Sequence, residues 1–283
     1  MKAYLIREPK EDEILRTIKV FLLAFDRTSY NQLEDEKKVG LRLINENIAR
    51  FLIAVIDNKI IGVGGLFIYQ RVASIGYMGV LSEFRNQGVG SAIFRKLMGL
   101  ALILGNQTIM LYASKLGEPI YKKYGFQGTY YADMYYLPKD FPKIQIKDKL
   151  LKEINFLPDW MLKLDREAIG FDREQYLKAR LALGAKILVV EYEGYAMVSK
   201  ILSQIRLGPL IAKNLDSAIH LIKKSILLGV EQLIIPHHPL LRVNFFSELK
   251  LIKKGEPNLK MFYGAEIPEK LDYIYVIGTY GKG

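Results

Sequence analysis

Two glycines, Gly88 and Gly90, stand where a strand pattern changes into a helix pattern. Glycine lets the backbone approach a ligand closely. The first main-chain N–H groups of a helix have no partner within it, and they lie at the positive end of the helix dipole. Arg85 can add a charge-assisted contact. These residues predict a site for a phosphate or pyrophosphate, although the glycines could instead serve only a tight turn with close helix packing.

The elements that position this segment follow from the spacing of apolar residues. A strand pattern near the N-terminus is followed by two helix patterns and then by three strand patterns that end near Leu81. A strongly apolar helix over 88–104, a strand over 108–113, a short helix over 119–124 and a strand over 127–137 complete the first half. The predicted order is β-α-α-β-β-β-α-β-α-β.

The segment Pro138–Pro142 interrupts the periodicity and is the predicted linker. Beyond it a similar order recurs with different residues, so we predict an internal repeat of topology and two domains, 1–140 and 141–283. The predicted fold class is α/β with mixed (α+β) sheets. The patterns of the second half are helices over 160–168, 173–183, 215–228 and 240–249, and strands over 187–191, 195–205, 232–235 and 260–265.

Composition narrows the function classes. Half of the 283 residues are apolar and 25% are charged, which excludes wholesale disorder. No apolar run reaches the roughly 20 residues of a membrane-spanning helix, so we expect no membrane partner. Without cysteine there is no thiolate nucleophile and no disulfide, and we expect a cytoplasmic location. The net charge of +11 is diffuse and attracts phosphorylated small molecules as well as nucleic acid, but no nucleic-acid motif is present.

The run from Arg85 to Gly90, placed between a strand and a long helix and followed by Tyr121, Gly125 and Phe126, resembles the acyl-CoA signature of the GCN5-related N-acetyltransferase (GNAT) superfamily. The resemblance covers roughly residues 1–140. The segments 117–121 and 165–173 are similar to a bacterial and archaeal subgroup with two such domains in tandem. It implies an N-terminal domain that binds acetyl-CoA and a degenerate C-terminal domain that shapes the acceptor pocket or is structural.

The resemblance implies which residues hold the cofactor. In the family the pantetheine arm lies beside the fourth strand like an added strand and bonds to its main chain. In this sequence that segment is Met78, Gly79 and Val80. The pyrophosphate is expected on the loop that follows, with Arg85 beside it. The expected loop residues are Asn86, Gln87, Gly88, Val89, Gly90 and Ser91.

Tyr121 corresponds to the family tyrosine that points at the thioester sulfur. A phenol of pKa near 10 is protonated at neutral pH and can donate its proton to the leaving CoA thiolate. The alternative is a packing role. The amine must lose a proton before it attacks the acetyl carbonyl, because an alkylammonium of pKa near 10.4 is almost wholly protonated at pH 7. Asp26 and Glu36 are candidate bases, and Tyr77 is a candidate wall of the acceptor pocket.

The second half lacks both the glycine pair of the phosphate loop and an equivalent of Tyr121. The stretch 208–216, taken as equivalent to the phosphate loop, has no glycine pair, and Asp216 puts a carboxylate near the helix start. Phe246 stands opposite Tyr121 in the alignment of the two halves. A pyrophosphate would therefore meet like charge and a thiolate would meet no proton donor. We expect this half not to bind CoA.

Two further groups have two interpretations each. Asp165, Asp172 and Arg173 could bind a cationic or zwitterionic acceptor, or they could cap a helix. The adjacent His237 and His238 could be metal ligands, but no acidic or histidine partner stands at ligand spacing, so surface or packing roles are favoured and no metal is expected.

These observations predict an acetyl-CoA-dependent N-acetyltransferase. A small-molecule amine is the preferred acceptor, because a covering second domain suits an enclosed pocket. The alternatives are acetylation of a protein N-terminus or lysine, and a non-catalytic CoA sensor or interaction module. Nucleic acid is the least favoured partner, and both a monomer and a homo-oligomer stay open.

Overall fold

The computed structural model describes residues 3–25, 33–138, 151–201, 204–237, 249 and 251–281. The chain divides into two compact units, Met1–Leu111 and Tyr112–Gly281. Each unit combines a mixed β-sheet with packed helices, which confirms the predicted fold class. The domain boundary predicted after residue 140 lies outside the described residues and stays a prediction. Among the helices described, none has the length and apolarity needed to cross a bilayer.

The first unit follows the predicted order of elements. Strands β1 to β4 pair as successive antiparallel neighbours, and β5 lies parallel to β4. The last residues of β5 belong to the second unit. The elements are β1 (Leu5–Arg7), α1 (Ile14–Leu23), α2 (Leu33–Asn45), β2 (Ala49–Ile56), β3 (Lys59–Tyr69), β4 (Val72–Val80), α3 (Val89–Ile103) and β5 (Thr108–Ala113).

Glycines of β3 and β4 allow helices to lie very close to both faces of this sheet. A Cβ added to Gly64 would lie 2.7 Å from Cγ2 of Ile93 on α3. A Cβ added to Gly79 would lie 3.0 Å from the Cβ of Ala24, at the end of α1. Contacts this short exclude any larger side chain without movement of the helices. The glycines therefore hold α1 and α3 against opposite faces of β3 and β4.

The second unit contains a longer sheet, in the strand order β13-β6-β11-β10-β9-β8-β7, with β12 beside β6 and β14 beside β10. Its elements are α4 (Glu118–Lys123), β6 (Gln127–Tyr136), β7 (Leu151–Ile154), α5 (Asp159–Ile169), α6 (Glu174–Ala182), β8 (Lys186–Val190), β9 (Gly194–Ile201), β10 (Gln204–Ala212), α7 (Leu215–Leu227), β11 (Gln232–Pro236), β12 (Ile252–Lys253), β13 (Asn258–Gly264) and β14 (Ile274–Val276).

Each face of this sheet has its own core. On one face α7 contributes Ala218 and Leu221, which belong to the same buried cluster as Val198 of β9. On the other face Met161 of α5 belongs to a cluster with Tyr195 of β9. Burial on both faces explains why β9 and β10 read as continuous apolar runs rather than as alternating ones.

Three features of the second unit differ from the prediction. Residues 204–212 form the separate strand β10, whereas a strand over 195–205 followed by a loop from Gly208 was predicted. Pro209 lies inside this run, and a proline within a buried apolar run argues against a strand. The sequence pattern therefore did not predict β10. The strands β7 and β14 were also missed, because each is short. Strand β6, predicted to close the first half, pairs with β11 and β13. Apart from Leu249, the helix predicted over 240–249 lies outside the described residues, as does most of the predicted linker.

Candidate functional site

Strand β4 carries a β-bulge at Tyr77 and Met78. Both residues lie opposite the single residue Gly64 of β3. The flanking pairs are Gly76 with Gly65 and Gly79 with Val63. Tyr77 has a φ of +55°, in the left-handed region that L-residues other than Gly, Asn and Asp rarely adopt. A bulge bends its strand and redirects side chains, and bulges are frequent beside active sites.

The bulge separates the two side chains. The Sδ of Met78 lies under α3, where a Cβ on Gly64 would be 2.7 Å from it. The ring of Tyr77 packs on the α1 face, with its centroid 4.8 Å from that of Phe21 and 5.6 Å from that of Phe67. Phe25 extends this aromatic cluster: its ring centroid lies 5.0 Å from that of Phe21, and the residue is 51% exposed.

Strand β4 separates from β5 just before the bulge. Their ladder has three pairs, from Val72 with Thr108 to Ser74 with Met110, and β4 then continues to Val80. The N–H of Leu81 donates to Ile61 O of β3 at 3.0 Å. Main-chain groups alternate between the two edges of a strand, so those of Met78 and Val80 point away from β3.

The edge beyond Ser74 therefore presents main-chain donors and acceptors where a strand-like ligand could pair. The main chain of Gly79 faces β3 instead, and the structural role of this residue is the close approach of α1. Its predicted contact with the cofactor stays a prediction, as do those of Met78 and Val80.

The loop after β4 begins with a 3-10 turn at Ser82–Phe84 and leads directly into α3. Asn86 and Gly88 both have positive φ, +59° and +78°. A Cβ on Gly88 would meet nothing within 4 Å, so the glycine serves the backbone conformation and leaves the helix start open. The first helical bond runs from Ala92 N to Gly88 O at 3.0 Å.

The N–H groups of Val89, Gly90 and Ser91 precede the first helical bond of α3, so the regular helix pattern offers them no acceptor. Because they lie at the positive end of the α3 dipole, they suit an anion. The predicted loop residues lie together in the turn before α3 and in its first helical turn. They are Asn86, Gln87, Gly88, Val89, Gly90 and Ser91. Their contact with a pyrophosphate stays a prediction.

Arg85 joins the two parts of the site. Its Nε donates to Val80 O at 3.1 Å, and its Nη2 donates to Ala24 O at 2.7 Å. The side chain thereby holds the loop to the end of β4 and to the C-terminal carbonyl end of α1, which favours a cation. The predicted contact between Arg85 and a pyrophosphate is not tested by these bonds.

Glu83 is held ionised next to the loop. A hydrogen bond from its own main-chain N–H and an ion pair with Lys59, at 3.0 Å, lower the pKa of this carboxyl. The carboxylate is exposed and paired, so it does not fit the role of a base that takes a proton from an amine.

Tyr121 lies in the short helix α4, between Gly117 and Gly125. A Cβ on Gly117 would be 3.0 Å from Cε2 of the tyrosine ring, so a side chain there would require the ring to shift. The ring packs on Phe126 with 6.1 Å between centroids. Burial raises the pKa of the phenol above its usual value of 10. The hydroxyl therefore stays protonated at neutral and mildly alkaline pH, the state a proton donor needs.

The second unit repeats the bulge without the open helix start. Gly208 and Pro209 of β10 both lie opposite Met197 of β9. The flanking pairs are Leu207 with Val198 and Leu210 with Ala196. Gly208 therefore matches Tyr77, not the phosphate loop as expected from the sequence. Asn214 precedes α7, and its side chain accepts a bond from Ser217 N at 2.9 Å. The capping residue is thus Asn214, not Asp216.

Asp165 and Arg173 form a buried ion pair. The guanidinium donates to both carboxylate oxygens, at 3.1 and 2.8 Å, and the hydroxyl of Tyr195 donates to the same carboxylate. Asp172 accepts a bond from Glu174 N at 2.8 Å at the start of α6. This geometry supports the capping interpretation for Asp172 and a structural pair for the other two.

His237 has an acidic partner that the sequence did not reveal. Its Nε2 lies 2.8 Å from Oδ2 of the buried Asp133 on β6, and Lys253 of β12 lies 2.9 Å from the other oxygen. The partner is 104 residues away along the chain, so only strand pairing brings it near. Over the described ranges, no group of three His, Cys, Asp or Glu side chains could hold a metal ion. His238, Phe246 and the candidate base Asp26 lie outside the described residues.

Comparison with known proteins gives two domain matches. Residues 47–128 match one family model described as an acetyltransferase (GNAT) domain, and residues 161–276 match another with the same description. The uncharacterized N-acetyltransferase YitH of Bacillus subtilis is 24% identical over 240 residues, which cover 81% of this chain and 83% of that protein.

Solved structures extend this similarity to the whole chain. The crystal structure of a candidate acetyltransferase from Pyrococcus horikoshii is similar with a TM-score of 0.89 and 27% identity, over 100% of this chain and 97% of that one. A tandem GNAT protein from the clavulanic acid biosynthesis pathway is similar with a TM-score of 0.63 and 13% identity, over 93% and 99% of the two chains. The latter identity supports a shared fold only.

Proposed function

This chain belongs to the GNAT acetyltransferase family, with two such domains in tandem, and from that premise we propose that its N-terminal half transfers the acetyl group of acetyl-CoA to the primary amine of a small molecule. One observation carries the proposal. Among the described residues of unit Met1–Leu111, two places that follow each other along the chain lack regular main-chain pairing: β4 is not paired with β5 beyond Ser74, and the first turn of α3 precedes its first helical bond.

The chemistry of these two places matches the two ends of the proposed donor. A pantetheine arm carries amides that can pair with the open edge at Met78 and Val80 as an added strand does. A diphosphate needs several N–H donors and no nearby uncompensated carboxylate. The first turn of α3 offers such donors at Val89, Gly90 and Ser91. Glu83, the acidic residue of the loop, is paired with Lys59. These residues therefore fit acetyl-CoA.

Bound acetyl-CoA would supply the thioester whose acetyl carbon accepts the amine nitrogen. A nitrogen–carbon bond then forms and the carbon–sulfur bond breaks. We assign an N–H of β4 to the developing negative charge on the acetyl oxygen. Tyr121 gives its hydroxyl proton to the thiolate and regains one from solvent, which receives the proton that the amine loses.

The acceptor class follows from the aromatic cluster on the α1 face of β4. The ring centroid of Phe21 lies 5.0 Å from that of Phe25 and 4.8 Å from that of Tyr77, and Phe25 is half exposed. Aromatic faces attract both apolar groups and ammonium ions. We therefore propose that the acceptor is a small amine with an apolar or aromatic body.

The test is a screen of aliphatic amines, aromatic amines, a lysine-containing peptide and a peptide N-terminus with acetyl-CoA, followed by free-thiol release. The proposal predicts turnover above the hydrolysis background for small amines, with the lowest KM for those with an aromatic body. Binding of CoA without acetylation of any amine would instead support a CoA sensor. Turnover confined to the peptides would support the protein-acetylating alternative.

A further inference from the structure

The sheet of the second unit has the same opening beside its bulged strand. Strands β10 and β11 lie parallel but pair at one position only, Arg206 with Gln232. In the first unit β4 and β5 separate in the same way after Ser74. Both units therefore build a bulged strand whose far edge loses its parallel neighbour.

The opening in the second unit is filled by the strand β14. Leu210 of β10 pairs with Val276, and Ile211 pairs with Ile274, both antiparallel. On its other side the segment reaches β11, because Ile277 N donates to Ile234 O at 2.9 Å and the two residues form a β-bridge. The segment from Ile274 to Ile277 thus lies between β10 and β11 and bonds to both.

The fit between β14 and the bulge is close. The four residues from Ile274 to Ile277 are at most 5% exposed. A Cβ on Gly208 would collide with Ile277 O, and Gly208 has a φ of +133°. Arg180 donates to Gly208 O at 2.5 Å, which adds a side-chain contact to the bulge. No second strand or ligand fits in this slot without removing β14.

We propose that residues 274–277 act as a built-in strand ligand of the second unit, occupying the slot that corresponds to the one in which the first unit receives the pantetheine arm. The correspondence rests on the proposed function, whereas the filling of the slot does not. Two consequences follow: the chain binds one CoA, and the second unit is held in its ligand-filled form at all times.

Hydrogen exchange of the full chain, with and without saturating CoA, tests both parts. We expect peptides covering 207–212 and 274–277 to exchange slowly in the free protein and to be unchanged by CoA. A peptide covering 76–80 should exchange at least tenfold more slowly when CoA is bound, and calorimetry should give one site per chain. Fast exchange at 274–277, CoA-dependent exchange there, or two CoA sites would overturn the proposal.

The proposed function can fail separately. If CoA gives no heat and no protection at 76–80, the assignment of the first unit is wrong. Slow exchange at 274–277 in that experiment would still support β14 as the occupant of the second slot.

A matched pair of glycine variants links the exchange to the bulge. Gly184 also has a positive φ, +87°, but a Cβ there would meet nothing within 4 Å. Gly208→Ala should accelerate exchange at 274–277 at least tenfold, while Gly184→Ala should leave it within about twofold. Equal effects of the two variants would contradict a direct contact between the bulge and β14. If Gly208→Ala does not fold, the wild-type measurements still decide.

Discussion

Tyr121 stands in the sequence between two glycines, Gly117 and Gly125. The first glycine gives the ring space, and the second, with a φ of +85°, ends the short helix that carries it. Both residues surround Tyr121 in the sequence signature, so local spacing was enough to single out this residue. What the sequence did not show is the burial that keeps the phenol protonated.

We expect Tyr121→Phe to reduce kcat by about a hundredfold, because general acid catalysis typically contributes that much or more. The ring packing against Phe126 is preserved in the variant, so the Kd for CoA should not change. The raised pKa predicts that wild-type kcat does not fall on the alkaline side up to about pH 10. Steady-state rates between pH 6 and about pH 10 and calorimetry measure these quantities. An unchanged kcat in the variant would remove the assigned role.

Variants of the ion pair Asp165–Arg173 test whether this pair has a structural role. Asp165→Leu leaves a buried guanidinium without its carboxylate and should lower the free energy of unfolding by about 3–5 kcal/mol. The double variant Asp165→Leu/Arg173→Met should recover at least half of that loss. Urea denaturation measures both. A change in the KM for the amine without any loss of stability would instead support the acceptor-binding alternative.

At the scale of elements, the short strand β1 is joined to the start of α1 by a buried carboxylate. The two terminal guanidinium nitrogens of Arg7, Nη1 and Nη2, donate to Glu13 at 2.6 and 2.8 Å, and Lys10 N donates to it at 2.8 Å. These bonds lower the pKa of Glu13 from its ordinary 4.5 to about 2. Because the pKa is lower in the folded state, the stabilisation is complete above pH 4.5 and is lost as the pH falls towards 2.

Glu13→Gln should therefore lower the free energy of unfolding by about 2 kcal/mol at pH 7, and the difference from wild type should shrink below about pH 4. Glu8→Gln is the matched control, since Glu8 is half exposed and 3.8 Å from Arg50. It should change stability by less than about 0.5 kcal/mol. Urea denaturation at several pH values measures both variants. A Glu13→Gln difference independent of pH would contradict the assigned pKa.

The order of the elements could be predicted because apolar periodicity is a local property of the chain. The helices α3 and α7 and the strands β5 and β11 begin and end within a few residues of their patterns. Strand partners depend on residues far apart in the chain, and β6 shows the consequence: its pattern was clear, but its pairing with β11 and β13 was not. The bulge at Tyr77 was also hidden, since tyrosine gives no signal for a positive φ.

At the scale of the whole molecule, the internal repeat was visible as an order of elements and not as shared residues. The structure adds the equivalent bulges of β4 and β10, which bring Tyr77 and Gly208 into corresponding positions. The sequence predicted from two features, the loop over 208–216 and Phe246 opposite Tyr121, that the second half does not bind CoA. Strand β14, missed in the sequence because it is three residues long, offers a further and independent physical reason for that prediction.

The diffuse net charge of +11 attracts anionic ligands in general. In the proposed function, the specific contacts with the diphosphate come from uncharged main-chain N–H groups of the loop at the start of α3. The affinity for CoA should therefore depend only moderately on salt concentration and strongly on the charge of the side chains at the start of α3.

Calorimetric titration with CoA of the wild type and of a matched pair of Ser91 variants tests that loop most directly. Ser91 lies in the first turn of α3, where either aspartate or asparagine is compatible with the helix. Ser91→Asn should keep the wild-type Kd within about threefold. Ser91→Asp should weaken it at least tenfold, because a carboxylate near a diphosphate costs about 1–4 kcal/mol. No heat with the wild type, or equal affinities of the two variants, would contradict the account.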